Sequence, residues 1–165
     1  MAVSYKKGEL VVCPAYGLGV VKGIETQEIA GTTLRVVVVF FEKDRMTVRV
    51  PINGSTSEKI RKLSSMDKMN EAIDTLKMPA HSRKMMWSRR AQEYESKINS
   101  GEPISIAEVV RDLHKTVTQP EHSYSERQLY QEAFARLTRE YAAVAKIDEK
   151  EAEANLEQVL LSKAA

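Results

Sequence analysis

The segment MMWSRR, at residues 85–90, joins the only tryptophan of the chain to two arginines that follow it closely. Residues 81–90 hold four cations and no acid, and a local cluster of this kind is a footprint for phosphate groups. A short basic run is equally typical of a solvated helix face. The four cations are Arg83, Lys84, Arg89 and Arg90.

Trp87 also belongs to a helical stripe. It is in register with Ala91, Tyr94 and Ile98, which follow it by four, seven and eleven residues. Apolar residues with this period form the buried face of an amphipathic helix. Taken alone, the pattern therefore predicts that the indole lies in a core rather than at a binding surface.

A second candidate site lies in the segment RMTVRVP, residues 45–51. In a strand, Arg45 and Arg49 would share one face with Thr47 between them, and Arg49 could bind a carboxylate of a partner protein through a bidentate fork. An edge strand offers unpaired N–H and C=O groups to a strand of another protein. The alternative is an exposed strand arginine that only protects the edge from pairing.

Catalytic residue types do not converge in this sequence. The histidines lack the i,i+4 partners or cysteine pairs of a zinc site, and neither a P-loop nor a G-x-S-x-G elbow occurs. The glycines of Gly17-x-Gly19-x-x-x-Gly23 miss the dinucleotide-binding spacing and precede a strand. We therefore expect no enzyme activity, no metal and no cofactor. The histidines are His81, His114 and His122.

The elements that position the candidate residues change in character near residue 55. The first fifty residues predict strands at residues 9–13, 18–29, 32–41 and 46–50, separated by Pro, Gly, Asn and Asp turns. Beyond the turn formers of residues 53–58 the apolar period becomes 3.6, which predicts helices. They are expected near residues 59–77, 82–99, 105–117, 124–146 and 149–162, the first of them either continuous or broken at Ser64-Ser65. Capping signals begin at Ser64, Ser105, Ser123 and Asp148.

The predicted fold class is accordingly α+β with two domains. A small antiparallel β-barrel of the Tudor or SH3 type is expected over residues 1–54, and a compact all-α domain of about five helices over residues 59–165. The chain of 165 residues is long enough for this layout, with a net charge of +2. The charge is uneven, because residues 58–100 carry ten basic and six acidic side chains.

The cysteine content and the apolar segments indicate the cellular compartment of the protein. The single cysteine, Cys13, cannot form an intramolecular disulfide, and its apolar strand context predicts a buried, inert thiol. The first residues, MAVSYKKGEL, lack the apolar segment of a secretory signal, and the longest apolar run, residues 36–41, is too short to cross a bilayer. These features predict a cytoplasmic protein without a membrane partner.

Several segments together resemble the CarD/CdnL family of bacterial transcription regulators. They are GELVVCPAYGLGVVKGIET, TVRVP, WSRR, IAEVVRDLHK and the C-terminal helices from YSERQLYQEAFARL to IDEKEAEANLEQVLL. The first segment is also similar to the polymerase-interacting module of the Mfd translocase. The resemblance implies a Tudor-like domain that docks on the lobe of the RNA polymerase β subunit. It also implies a helical domain on promoter DNA at the upstream edge of the bubble, with little sequence specificity.

The same resemblance assigns roles to residues. It implies that Arg49 contacts polymerase, with Thr47 on the same face, and that Ile29 packs on this partner. Gln27 stands where the family has a second arginine. For DNA it implies that Trp87 is the wedge, that its neighbouring cations bind phosphates, and that Gln92 replaces a lysine of some members. The DNA candidates are Trp87, Arg89, Arg90, Arg83 and Lys84.

The implied function is stabilisation of the open promoter complex formed with the principal sigma factor, by a monomer held near the nucleoid through polymerase. Two other classes stay open at this point. One is a DNA-architectural protein that acts without polymerase, and the other is an adaptor that binds only proteins.

Overall fold

The computed structural model describes residues 5–13, 16–51, 60–79, 86–117 and 123–163. The chain divides into two compact units, residues 1–63 and residues 64–165. The first unit is a β-sheet and the second is all-helical, which confirms the predicted α+β layout of two parts.

In the first unit the described residues form a five-stranded antiparallel sheet with strand order β4-β3-β2-β1-β5. Strands β2 and β3 are the longest and are joined by a two-residue turn at Ala30 and Gly31, whose φ angles are 52° and 78°. Two positive φ angles fit the right-handed twist of a hairpin, which explains the glycine in this turn. The strands are β1 Leu10–Cys13, β2 Gly17–Ile29, β3 Thr32–Phe41, β4 Met46–Pro51 and β5 Arg61–Lys62.

One face of the sheet forms the core of this unit. Val37, Val39 and Phe41 alternate along β3 and are almost completely buried, as period-two patterning requires. Gly19 of β2 lies against them, since a Cβ atom there would come within 2.5 Å of Val39 Cγ1. Cys13 is free and buried in the same cluster, as predicted.

The small antiparallel barrel that the sequence predicts is present as an antiparallel sheet that is not closed among the described residues. Strands β4 and β5 are the two edges of the sheet, and no ladder among the described residues joins them. A strand of two residues, Arg61–Lys62, is too short to complete a closed ladder. The sheet is therefore open along β4.

The described residues of the second unit form five helices around a shared aliphatic core. Helix α3 is central, because Ala107, Val109, Val110 and Leu113 are fully buried and it packs against α1, α2 and α4. His114 of α3 lies 3.0 Å from the hydroxyl of Tyr130, measured from Nδ1, and burial raises the pKa of Tyr130 to about 12, with a smaller contribution from Glu157. The helices are α1 Met66–Leu76, α2 Trp87–Asn99, α3 Pro103–Val117, α4 Tyr124–Ala145 and α5 Glu149–Lys163.

Three helices begin at other residues than predicted. Helix α2 was expected from residue 82; residues 82–85 lie outside the described ranges, and the helix begins at Trp87 after the N-cap Met86. The first helix was expected from residue 59, but Ile60 is buried in the sheet core and residues 61–62 pair with β1, so α1 begins at Met66. Its N-cap is Ser65 rather than Ser64. Helix α3 begins at Pro103, two residues before the expected Ser105, because proline is well suited to the first turn of a helix.

None of the helices in the described ranges is long and apolar enough to span a membrane.

Candidate functional sites

The β4 edge carries the first candidate surface. Thr47 and Arg49 are both exposed, and their β3 partners are Phe40 and Val38. Within the described residues β4 pairs only with β3, so its other side presents backbone N–H and C=O groups. Arg45 does not share this face, because it has a φ of 48° in the turn before β4 begins.

An ion pair crosses the outer face of the sheet beside this edge. Nε of Arg49 donates to Oε2 of Glu25 at 3.1 Å. Since Arg49 pairs in register with Val38 and Glu25 with Val36, the two side chains meet above β3. Val38 and Val36 are only 8% and 3% exposed although they face away from the core, which the ion pair above them explains.

The remaining polymerase candidates lie farther along the β2–β3 hairpin. Gln27 is partly exposed and pairs with Leu34. Leu34 lies on the outer face of the sheet with Val36 and Val38. At about 3.4 Å per residue, Leu34 lies about 14 Å along β3 from Val38. Ile29 forms the last rung of the ladder with Thr32. The structure therefore places Gln27 on the same face as Arg49 without contact between the two.

Helix α2 carries the second candidate surface, and its apolar stripe leaves the core gradually. Ile98 is 1% exposed and Tyr94 6% exposed, whereas Ala91 and Trp87 are partly buried against the helical core. The helical pattern therefore predicted the stripe correctly. Trp87, the first residue of α2, lies at the end where the stripe reaches the surface.

The Trp87 ring is held from the helix side by two residues. Its centroid lies 6.4 Å from that of Tyr94, in a tilted arrangement. The guanidinium of Arg90 lies 5.7 Å from the indole centroid and 5.8 Å from the Tyr94 ring, and its Nη2 donates to the Tyr94 hydroxyl at 3.2 Å. Arg90 is therefore engaged with the two rings in this state, whereas Arg89 is exposed.

The start of α2 is electropositive and has no side-chain cap. Met86 occupies the N-cap position, and no acidic residue lies in the first turn. The first amide N–H groups of a helix have no intrahelical acceptor and favour anions. Ser88 and Arg89 are exposed beside these amides. Arg83 and Lys84 lie outside the described residues.

A polar cleft of about 290 Å³ lies between α2 and α3, and Arg90 and Tyr94 are part of its lining. Arg111 and Asp112 form a buried ion pair of 2.9 Å at this cleft, and Lys97 lies 3.6 Å from Glu108. Its acidic and basic groups are balanced, so the cleft has no clear preference for an anion or a cation. Among the described residues no group of acidic, histidine and cysteine side chains could hold a metal ion.

Comparison with protein families matches both units. Residues 5–64 match the family described as CarD-like/TRCF RID domain, and residues 71–157 match the CarD C-terminal domain. The chain belongs to the CarD family. The RID domain of this family binds the β subunit of RNA polymerase.

A relative of this CarD-family chain is found in Bacillus subtilis (strain 168). It is 26% identical over 147 residues, which cover 89% of this chain and 96% of the relative, and it is named "Putative transcription factor YdeB". CarD proteins are transcription regulators and not a known family of enzymes.

The structure gives three residues of this CarD-family protein a contact or an exposure that the sequence analysis did not predict. Glu25 contacts Arg49 across neighbouring strands. Tyr94 contacts Arg90 from the next turn of the same helix. The tyrosine could have been found from its spacing of four residues after Arg90, whereas Glu25 depends on strand register. Met86 stood in the quoted MMWSRR segment, but only its exposure distinguishes it.

Proposed function

We propose that this protein binds the RNA polymerase β subunit through β4 and stabilises the open promoter complex by contacting DNA with the start of α2. The observation that carries the proposal is the presence of both CarD domains in one chain, over residues 5–64 and 71–157. One domain supplies attachment to polymerase, and the other supplies the contact with the promoter.

The β4 edge supports the polymerase contact. A partner strand can add to the unpaired side of β4, and main-chain hydrogen bonds then provide affinity. Arg49 offers the terminal nitrogens of its guanidinium, for which the described residues contain no partner, to a carboxylate on the β lobe. Thr47 and Gln27 lie on the same outer face, and Ile29 follows Gln27 at the end of β2.

The start of α2 supports the DNA contact. Arg89 and the first amides of the helix suit phosphate groups, which give affinity that does not depend on sequence. Trp87 lies where the apolar stripe reaches the surface, and an apolar side chain at an unstacked step holds a distorted DNA junction. Arg83 and Lys84 precede the helix and add positive charge to the segment.

The mechanism follows from preferential binding. A protein that binds the open promoter complex more tightly than the closed one shifts the equilibrium towards the open form. A difference of about 1.4 kcal/mol in binding free energy gives about a tenfold shift. Such a shift needs neither nucleotide hydrolysis nor a metal ion, in keeping with a regulator that acts by contact.

The test measures the lifetime of open complexes formed by the cognate polymerase, with and without the protein. At a protein concentration that half-saturates the wild-type effect, we expect a longer lifetime with the wild-type chain and loss of most of this effect with Arg49→Glu, because the substitution reverses the charge offered to the β lobe. Arg35→Glu is the matched control, since Arg35 is an exposed strand arginine whose register places it on the opposite face. An unchanged lifetime across several promoters contradicts the proposal.

The same experiment separates the two other classes. A DNA-architectural protein would act equally well after Arg49→Glu, because it does not use polymerase. A protein-only adaptor would bind polymerase normally but would be insensitive to substitution of exposed Arg89. Arg89→Ala is therefore expected to shorten the open-complex lifetime without changing affinity for the β subunit.

A further inference from the structure

Tyr94 is the residue at which the apolar stripe of α2 meets the polar cleft. It is only 6% exposed and belongs to the buried core of the helical unit. Its hydroxyl accepts a hydrogen bond from Nη2 of Arg90 at 3.2 Å, and the residue is part of the lining of the cleft between α2 and α3. A tyrosine with a buried ring and a bonded hydroxyl is a rigid point of attachment for a longer side chain.

Arg90 connects Tyr94 to Trp87 on one face of α2. Residues three and four positions apart are neighbours on a helix, and Arg90 follows Trp87 by three and precedes Tyr94 by four. Its guanidinium carbon lies 5.7 Å from the indole centroid and 5.8 Å from that of the Tyr94 ring, so both rings attract the cation. The hydrogen bond to Tyr94 selects one orientation of a long side chain. The Tyr94 hydroxyl therefore fixes the position of the guanidinium over the indole.

Trp87 is the residue of the three that most needs support from side chains. It is the first residue of α2, and helix ends fray. The residue is partly buried against the helical core, and its ring centroid lies 6.4 Å from that of Tyr94. An indole that rotates freely loses this freedom when it contacts DNA, which weakens binding. An indole that is already held loses less.

We infer that Tyr94 is a positioning residue for Trp87: its hydroxyl holds Arg90, and Arg90 holds the indole in the orientation in which it meets the promoter fork. This inference rests on the proposed function, because it assigns a residue that acts through the same wedge. Tyr94 acts from inside the protein, through Arg90 and Trp87. Arg90 stays able to bind a phosphate through its other guanidinium nitrogens.

The first test measures the motion of the indole in the free, full-length chain. Trp87 is the only tryptophan, so time-resolved fluorescence anisotropy, with excitation that tyrosine does not absorb, reports on this ring alone. Tyr94→Phe removes the hydroxyl and keeps the buried ring, and we expect the amplitude of fast indole motion to rise about twofold or more. Arg90→Met, which keeps a long side chain without the guanidinium, should give a similar rise. The double variant should show no more motion than Arg90→Met, because the hydroxyl acts through the guanidinium.

The second test measures the lifetime of open complexes at saturating protein. Tyr94→Phe is expected to shorten the lifetime about twofold to fivefold, the effect of one lost hydrogen bond. Its thermal unfolding should stay within about 2 °C of the wild type, because the core packing of the ring is kept. Tyr141→Phe is the matched control for both tests, since the Tyr141 hydroxyl also accepts a side-chain hydrogen bond, from Asn155 of α5. It should match the wild type in indole motion and in lifetime.

The outcomes distinguish the two proposals. If wild-type protein lengthens the open-complex lifetime and Tyr94→Phe does so equally, the inference is wrong and the proposed function stands. If wild-type protein has no effect on any promoter, the proposed function fails and the inference fails with it. If Tyr94→Phe shortens the lifetime while the indole moves as in the wild type, Tyr94 acts by another route and the inference is overturned. More indole motion in the double variant than in Arg90→Met overturns it as well.

Discussion

The guanidinium of Arg49 is already bound through its Nε to Glu25 before any partner binds. Glu25 accepts from Nε, so the end of the group that carries the two terminal nitrogens stays directed to other acceptors. The pair is about half exposed on both sides, and an ion pair of this kind contributes only about 0.2–1 kcal/mol to stability. The ion pair contributes to binding by orienting Arg49, because a side chain that is already held loses less rotamer freedom when the partner binds.

Removal of Glu25 is therefore expected to weaken binding to the polymerase β subunit. We predict that Glu25→Ala lowers affinity for a β-lobe fragment about twofold to fivefold, which corresponds to the small free energy of an exposed pair. Glu25→Gln keeps an oxygen acceptor for Nε and should bind nearly as the wild type. Glu28→Ala is the control, since Glu28 is exposed on the same strand and lies three residues along it, on the opposite face of the sheet. Tighter binding by Glu25→Ala would mean that Glu25 competes with the partner carboxylate.

At the scale of elements, the two helices α2 and α4 begin in different ways. Ser123 caps α4, because its Oγ accepts from the Glu126 N–H at 3.1 Å and donates to the Glu126 carboxylate at 3.0 Å. Helix α2 begins at Met86 with no side-chain cap. A capped start serves stability, whereas the uncapped start leaves amide groups available to an anion.

The cap on α4 gives a stability prediction. Ser123→Ala should lower the free energy of unfolding by about 1 kcal/mol, because it removes the acceptor for an N–H group at the helix start. Chemical denaturation with far-ultraviolet circular dichroism measures the change. Ser125→Ala is the control within the same turn, where the exposed serine follows the cap by two residues, and it should stay within about 0.5 kcal/mol of the wild type. Equal losses in both variants would show that the cap adds nothing.

Most strands and helices were predictable because each is long enough to repeat its hydrophobic period several times. Four strands and five helices occur among the described residues where alternation and 3.6-residue patterns predicted them, although α1 begins at Met66 instead of residue 59. Strand β5 was missed, because two residues, Arg61–Lys62, carry no period and pair only through tertiary structure. The segment of β4 was a candidate edge strand, but the opening of the expected barrel was missed, since strand closure depends on distant pairings rather than on local pattern.

The candidate sites were predictable at the level of single residues and not at the level of contacts. Arg49 and Trp87 come from short motifs, which the sequence displays directly. The Arg49–Glu25 pair requires the register of three strands, and that register includes a β-bulge between Val21 and Gly23. The exposure of Met86 likewise depends on how the stripe of α2 leaves the helical core.

At the scale of the whole molecule, the proposed function gives the two compact units of one chain separate tasks, attachment to polymerase and contact with DNA. Residues 1–63 carry the β4 surface, and residues 64–165 carry the start of α2. When one unit is bound to polymerase, the covalent connection gives the other an effective concentration near the promoter that reaches the millimolar range for short linkers. Weak affinity of the helical unit for DNA is then sufficient for function.

This division predicts that substitutions in the two units change different parameters of one titration. With rising concentration of full-length protein, Arg49→Glu should raise the concentration for half-maximal effect by about tenfold or more, because the tether is lost. The open-complex lifetime at saturation should approach the wild-type value, because the DNA surface is intact. Arg89→Ala should lower the lifetime at saturation and leave the half-maximal concentration nearly unchanged, because attachment to polymerase is intact. A lower plateau for Arg49→Glu would show instead that the polymerase contact itself takes part in holding the promoter open, and would reject a purely tethering role for the sheet.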